Sequence, residues 1–158
     1  MNHYLSKLLK QDNIDLVAIQ ETHCNTEQQL NQRGKIPGYD PLGATYHHIY
    51  GVATYMKSNI DNATLVSTSS NNDIHTDVVQ IGSITVSNIY KPPDSSWPIA
   101  IILIRPHPAI YIHLACHHEQ WKYRDCNANG EAVVKWAEDE NLNLFFDAKD
   151  RFTFKSAA

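Results

Sequence analysis

The sequence lacks a long hydrophobic run. A helical membrane span needs roughly 20 consecutive apolar residues, whereas the longest candidate stretch here, residues 99–104, suits a single buried strand. The first residues also lack the apolar h-region of a secretory signal peptide. Neither a helical membrane protein nor a secreted protein is indicated.

Cysteine is scarce and irregularly spaced. The three cysteines, Cys24, Cys116 and Cys126, make an odd number with no repeating interval. A fold held together by disulfides needs an even and patterned set. We therefore expect an intracellular protein in a reducing compartment.

An excess of positive charge is also missing. The chain carries 13 Lys and Arg against 17 Asp and Glu, a formal net charge of −4. Bulk electrostatics therefore does not favour nucleic-acid binding. A metal-dependent nuclease needs carboxylates in its site, however, so an acidic balance does not exclude a DNA substrate. Hydrophobic residues make up 42% and charged residues 19%, which is typical of a globular chain.

Hydrophobic periodicity predicts two helices. The first spans residues 4–10, where Leu5, Leu8 and Leu9 recur at helical spacing. The second spans residues 131–140 and begins after Asn129-Gly130. Its predicted buried stripe consists of Val133, Trp136 and Ala137. Between residue 24 and residue 50 the sequence is rich in Asn and Gln, and a loop is predicted there.

Apolar, β-branched and aromatic runs predict the strands. Residues 14–19 are nearly all apolar, as in a strand buried on both faces. Four further runs are interpreted as one antiparallel meander with a tight hairpin at Gly82: residues 51–57, 64–68, 77–81 and 83–90. Three more strands are predicted at residues 109–114, 142–146 and 152–154. The whole, residues 1–158, is interpreted as one domain, a mixed α/β sandwich.

Two residues at predicted strand ends are candidates for chemistry. Glu21 directly follows the strand at residues 14–19, and in α/β sheets ligands bind at that end of a strand. The alternative is that Glu21 begins a solvated loop. Tyr90 ends the strand at residues 83–90, and the alternative for it is an aromatic side chain packed under the proline turn that follows.

Six runs, taken in order, carry a resemblance to a known family. They are DLVAIQETH at 15–23, GVATY at 51–55, ITVSNIYKPP at 84–93, CHHEQW at 116–121, NGEA at 129–132 and KDRFTF at 149–154. In this order the chain resembles the endonuclease domain of non-LTR (LINE- and jockey-like) retrotransposons, within the endonuclease/exonuclease/phosphatase family. The resemblance covers nearly the whole chain.

The resemblance implies a four-layered sandwich of two mixed β-sheets flanked by helices, which nicks target DNA with Mg²⁺ (or Mn²⁺) in the nucleus. Glu21 corresponds to the metal-binding glutamate of the family, and oxygen ligands are what Mg²⁺ prefers. Tyr90 corresponds to a catalytic tyrosine beside the scissile phosphate, with Asn88 as a neighbouring catalytic candidate. Nucleic-acid contacts are expected from Lys91, Trp121, Lys122 and Arg124, of which residues 121–124 form a loop beside the cleft in that family.

The chain also departs from the family pattern. Family members carry Gly-Asp-Phe-Asn after a strand like that at residues 109–112, where this chain has His113-Leu114-Ala115, one residue shorter. An upstream strand bearing an Asn and a terminal Ser-Asp-His motif are not found between Met1 and Ala158. We therefore expect a partial domain, incomplete at both ends, with little or no nuclease activity.

A zinc site is an alternative use of the second half of the chain. Six potential ligands crowd there: His107, His113, Cys116, His117, His118 and Cys126. Cysteine and histidine favour zinc, although His113 and Cys116 form the one closely spaced pair. The other interpretation is a set of exposed loop histidines.

Two further functional hypotheses compete with an active nuclease. One is a DNA-binding module that does not cut, since Trp121, Lys122 and Arg124 mix aromatic and basic side chains. The other is a decayed transposon fragment with no biochemical role, which the broken Gly-Asp-Phe-Asn element favours.

Overall fold

A computed structural model describes residues 3–71, 73–92, 95–96, 109–114, 116–121 and 123–143. The chain divides into two compact units, the first formed by Met1–Ser95 with Ile102–Ala115 and the second by Ser96–Ile101 with Cys116–Ala158. The single-domain prediction over residues 1–158 stays a prediction.

The first unit contains two helices and seven strands within the described residues. In chain order these are α1 His3–Gln11, β1 Leu16–Gln20, α2 Glu27–Arg33, β2 Tyr39–Tyr46, β3 Gly51–Lys57, β4 Ala63–Asn71, β5 Ile74–Ile81, β6 Ile84–Tyr90 and β7 Ala109–Leu114. The described part of the second unit has a 3₁₀ helix, Glu119–Trp121, and α3, Ala128–Asp139. None of the helices described has the length and apolar character that crossing a bilayer requires.

The strands of the first unit form two sheets, and the predicted α/β sandwich is confirmed. One sheet has the order β1-β3-β2 and the other β4-β5-β6-β7. The β6–β7 pair is parallel, so the second sheet is mixed, as predicted. The three described strands of the first sheet pair antiparallel throughout, so the mixed character predicted for both sheets is found in the second sheet and not in the described part of the first. Side chains of β3 and β5 hydrogen-bond across the interior, through Thr54 and Asp77.

The predicted first helix is confirmed as α1, one residue longer at each end. Leu9 is buried and Leu5 packs against the core, but Leu8 is 40% exposed. The apolar run predicted a strand buried on both faces, but the strand that follows, β1, is only half-buried along its length. The reason is its position: β1 pairs with β3 alone, at the edge of the described sheet.

The loop predicted between residues 24 and 50 is wrong, because this segment contains α2 and β2. Thr26 caps the helix by accepting a hydrogen bond from the Gln29 backbone N–H at 3.2 Å. The Gln29 side chain reaches back and accepts from the Asn25 backbone N–H at 2.8 Å. This near-reciprocal arrangement resembles a capping box, whose Thr-x-x-Gln signature is present in the sequence.

Three of the four runs predicted as a single meander do form one, but the first does not belong to it. Strands β4, β5 and β6 pair antiparallel in sequence order. Gly82, with a φ of 57°, lies in the tight turn between Ile81 and Ile84, as predicted. Strand β3 instead lies at the centre of the other sheet, where six of its seven residues are buried.

In the second unit, α3 begins three residues earlier than predicted. Asn127 caps it by accepting a hydrogen bond from the Gly130 backbone N–H at 2.9 Å, so Asn129-Gly130 lies inside the first turn. The predicted buried stripe of Val133, Trp136 and Ala137 is confirmed. Leu142 and Asn143 are not in a strand, and the rest of the predicted closing strands lies outside the described residues, as does the run at 99–104.

Candidate active site

Glu21 lies immediately beyond the carboxyl end of β1, as the sequence predicted, and its side chain is exposed. Its backbone has a φ of 53°, a left-handed conformation that non-glycine residues rarely adopt. The next residue, Thr22, donates its backbone N–H to the carbonyl of Gly51 at 3.2 Å. Two residues later, Cys24 forms an isolated β-bridge with His47. The turn that carries Glu21 is therefore tied to the first residue of β3 and to the segment that precedes it.

Tyr90, the last residue of β6, meets Glu21 directly. Its hydroxyl donates a hydrogen bond to Glu21 Oε1 at 2.8 Å, although the two residues are 69 positions apart. Burial, and then the hydrogen bond to Glu21, raises the pKa of Tyr90 above its ordinary value of 10.0. The phenol therefore stays protonated, and acts as a donor to Glu21, at physiological pH. Two residues predicted as site members are thus brought together.

The end of β7 lies at the same edge of the second sheet as Tyr90. Strands β6 and β7 run parallel, with Ile89 opposite His113 and Tyr90 opposite Leu114. Residues 113–115 are where the resembled family has Gly-Asp-Phe-Asn. The register thus places His113 and Leu114, the first two residues of this segment, beside the strand end that carries Tyr90.

Asn88 lies inside the sandwich rather than at its edge. It is 0% exposed, and its Oδ1 accepts a hydrogen bond from Gln20 Nε2 at 3.0 Å. Its Nδ2 lies within hydrogen-bonding distance of the carbonyls of Ile19 and Ala53 and of the hydroxyl of Thr54, at 3.3–3.4 Å. These bonds join β6 to β1 and β3. The structure supports a role in holding the two sheets together, and the catalytic role of Asn88 stays a prediction.

The four predicted nucleic-acid contacts are placed very differently. Lys91 is 0% exposed and its ammonium donates to the backbone carbonyls of Pro92 and Ser95, the second at 2.8 Å. This burial is at odds with direct contact to nucleic acid. In the second unit, Trp121 ends the 3₁₀ helix and Arg124 is exposed, while Lys122 lies outside the described residues.

A cluster of rings beside Tyr90 was not predicted. The Tyr50 ring lies 5.4 Å from the Tyr90 ring and stacks on His47 at 5.0 Å. His75, opposite Tyr90 in the β5–β6 register, is 1% exposed, and its ring lies 5.3 Å from that of His47. Burial, and then the neighbouring His47, lowers the pKa of His75. The sequence signal for this cluster is weak, because His47 and His48 precede the strand in a segment predicted as loop.

Asp77 is a second polar residue that the sequence did not single out. It is 0% exposed between the sheets, where Oδ2 accepts a hydrogen bond from Thr54 at 3.4 Å. Among the described residues, Oδ1 has no hydrogen-bond partner. Burial raises the pKa of this carboxyl to about 7, against the smaller lowering effect of Thr54. The available signal was an acid at the start of a predicted strand that is rich in β-branched residues.

A single carboxylate is compatible with a weak Mg²⁺ site at Glu21. Mg²⁺ keeps several waters and often takes only one or two protein carboxylates together with substrate phosphate oxygens. Of the described residues, no group of three or more His, Cys, Asp or Glu side chains that could hold an ion includes Glu21. The oxygen donor fits the ion, but the number of protein ligands does not indicate tight binding.

Two comparisons with known proteins bear on the family to which the chain belongs. No curated protein matches the chain. The sequence profile of the Endonuclease/Exonuclease/phosphatase family matches residues 1–150. Members of this family are generally divalent-metal-dependent hydrolases of the nuclease and phosphatase type. Since the match spans nearly the whole sequence, the chain belongs to the endonuclease/exonuclease/phosphatase family.

Proposed function

We propose that this chain is a DNA-nicking domain of the non-LTR retrotransposon type that has lost most or all of its catalytic rate. The hydrogen bond from Tyr90 to Glu21 carries the proposal, because it assembles the two residues that the resemblance assigns to metal and phosphate chemistry. The six ordered sequence runs support the retrotransposon origin. A Mg²⁺ or Mn²⁺ ion, when bound at Glu21, would polarise the phosphodiester as a Lewis acid.

Tyr90 acts on Glu21 rather than on the substrate in this arrangement. A phenol has one proton to donate, and here that proton goes to Glu21 Oε1. Donation to the developing charge on a phosphate would require the bond to Glu21 to break. Tyr90 is therefore a positioning residue, which holds one carboxylate oxygen of Glu21 and leaves Oε2 as the oxygen that could bind a metal ion.

The loss of rate follows from what surrounds this pair. His113 and Leu114 lie opposite Ile89 and Tyr90 in the sheet, and the sequence of residues 113–115 contains neither an acid nor an amide. Removing one charge-stabilising group typically lowers the rate by about 10²–10³-fold. Removing a general acid or base typically lowers it by about 10²–10⁴-fold. Losses of groups that act together do not simply multiply. A single missing group already predicts a large loss.

Nicking of supercoiled plasmid DNA tests the proposal. The full chain is assayed with Mg²⁺ and with Mn²⁺ beside Glu21→Ala and, as a matched control, Asp61→Ala, which removes an exposed acid elsewhere in the first unit. We expect folded wild-type protein and both variants to nick no faster than the buffer blank. Rapid nicking that persists in Asp61→Ala and disappears in Glu21→Ala would contradict the loss of activity while confirming the site.

A DNA-binding module that does not cut is the second candidate. Tyr123 is 46% exposed, and its ring stacks on that of His117 at 4.2 Å. Exposed Arg124 follows it. An accessible aromatic ring beside a basic side chain suits base stacking with backbone neutralisation, and this hypothesis needs no metal.

A further inference from the structure

We propose that His118, Cys126 and Glu131 of the second unit form a binding site for a zinc-class divalent ion. Their ligand atoms all lie within 4.8 Å of one another. Cys126 Sγ is 3.1 Å from Glu131 Oε1, and His118 Nε2 is 3.9 Å from Glu131 Oε2. Neighbouring ligands around a tetrahedral zinc ion lie about 3.3–3.8 Å apart, given bonds of about 2.0–2.3 Å. Small side-chain movements would therefore complete the site.

The backbone holds the three ligands in place before any ion binds. The Asn127 backbone N–H donates to the carbonyl of His117 at 3.0 Å. The Asn127 side chain accepts from the backbone N–H groups of His117, at 3.3 Å, and Gly130, at 2.9 Å. Each ligand is next in sequence to one of these three residues: Cys126 to Asn127, His118 to His117 and Glu131 to Gly130. The loop is thus closed at its base, next to every ligand.

Close packing at Gly130 reinforces this closure. A Cβ atom added at Gly130 would lie 1.9 Å from the carbonyl oxygen of His117, so the two backbone segments touch and no larger residue fits. His118 and Glu131 follow these two residues directly. The spacing between the imidazole and the carboxylate is therefore set by backbone contact, not by flexible side chains alone.

The ligand types select the class of ion. Thiolate and imidazole favour zinc and similar transition metals over Mg²⁺, which prefers oxygen. Three protein ligands leave a fourth position for water or another donor. The site shares no residue with the Glu21–Tyr90 pair, so it does not depend on the proposed nuclease function.

Two protons must move when the ion binds. The Cys126 thiol now donates to Glu131 and would lose its proton to solvent. His118 Nδ1 accepts from the Gln120 backbone N–H at 3.1 Å, so a neutral ring carries its proton on Nε2. Coordination through Nε2 shifts this proton to Nδ1 and breaks the bond to Gln120. Losing this one hydrogen bond would lower the affinity for the ion by about fivefold. The three bonds to the metal outweigh that loss.

Cobalt(II) titration of the metal-free full chain tests the site. A tetrahedral cobalt–thiolate complex has a near-ultraviolet charge-transfer band and intense visible bands, and zinc should displace it. We expect one ion per chain, loss of the charge-transfer band in Cys126→Ser, and affinity weaker by at least about tenfold in His118→Gln and Glu131→Gln. The matched controls, His117→Gln and Glu138→Gln, alter a neighbouring ring and an exposed acid on the same helix and should bind cobalt normally.

The outcomes separate clearly. Circular dichroism of each variant establishes that it is folded, and Glu131→Gln replaces Cys126→Ser as the deciding variant if the latter does not fold. A wild-type chain without a thiolate band would overturn the proposal. So would a band that persists in folded Cys126→Ser, or one that His117→Gln weakens as much as His118→Gln.

Discussion

Asp77 shows how one buried residue makes the stability of the sandwich depend on pH. Its carboxyl lies between the sheets with one oxygen bonded to Thr54 and the other without a partner among the described side chains. An ionised carboxylate in such surroundings is poorly compensated, which is why its pKa rises to about 7. At neutral pH the protein therefore holds Asp77 close to its midpoint of ionisation.

We predict that Asp77→Asn removes a pH-dependent part of the stability. The folded-state pKa of about 7 exceeds the ordinary value of 3.8, so the folded chain binds this proton more tightly than the unfolded chain. The resulting stabilisation is fully present below pH 3.8 and is lost as the pH rises to about 7. Relative to Asp77→Asn, the wild type should lose on the order of 2 kcal/mol between pH 5 and pH 8.

Urea denaturation of both proteins at the two pH values measures this difference. Asp61→Asn, at an exposed site, is the matched control and should parallel the wild type. Because the pKa of His75 is lowered, this histidine makes the stability rise with pH below pH 6.5. Both proteins retain His75, so its contribution cancels when their stabilities are subtracted. A difference that does not change with pH would contradict the buried ionisation.

At the scale of elements, α2 shows how local hydrogen bonds define a short helix. It has seven residues, too few to be stable by itself in water. Its N-terminus is closed by Thr26 and Gln29, and Leu30 is its one buried residue. Leu30 joins the core cluster that includes Ile36, Tyr39 and Tyr55. The side-chain cap and the burial of Leu30 therefore both stabilise this helix.

We predict that Thr26→Ala lowers the free energy of unfolding by about 1 kcal/mol, because the Gln29 backbone N–H loses its acceptor. Asn31→Ala, an exposed change inside the same helix, is the matched control. It should be neutral or slightly stabilising, since alanine is the better helix former. Chemical denaturation measures both, and equal effects of the two substitutions would argue against the cap.

At the scale of the whole molecule, the net charge of −4 opposes general attraction to DNA. Any binding must then come from a local basic surface. Of the four predicted contacts, Lys91 is buried, whereas Arg124 is exposed. The loop at residues 121–124 is therefore the remaining candidate, and DNA as a partner and the nucleus as a location stay predictions.

We predict weak DNA binding that depends on this loop and on salt. In Lys122→Ala/Arg124→Ala, the slope of log affinity against log salt concentration should decrease in magnitude by about 1.8, because two phosphate contacts are lost. Fluorescence anisotropy with a short duplex measures it. Lys7→Ala/Lys10→Ala, on exposed positions of α1, removes the same charge and should leave the slope nearly unchanged. Equal losses in both double variants would indicate only a net-charge effect.

The sequence by itself determined the parts of this protein that depend on neighbouring residues. The first helix, strands β3 and β7, the hairpin at Gly82 and the position of Glu21 at a strand end were all predicted. Each follows from side-chain periodicity, or from a turn that needs a left-handed glycine, over fewer than a dozen residues. The Thr-x-x-Gln cap of α2 was equally local, and the prediction of a loop there overlooked it.

Only the tertiary structure decided which of these elements meet. The bond between Tyr90 and Glu21 spans 69 positions, and the burial of Asn88 depends on strands from the opposite sheet. Tertiary contacts also place β3 in the first sheet instead of the predicted meander. They likewise bring His118, Cys126 and Glu131 together. Strand pairing and loop closure bring together residues that are far apart in sequence. No local period encodes such partners, because they are selected by packing of the whole sandwich or loop.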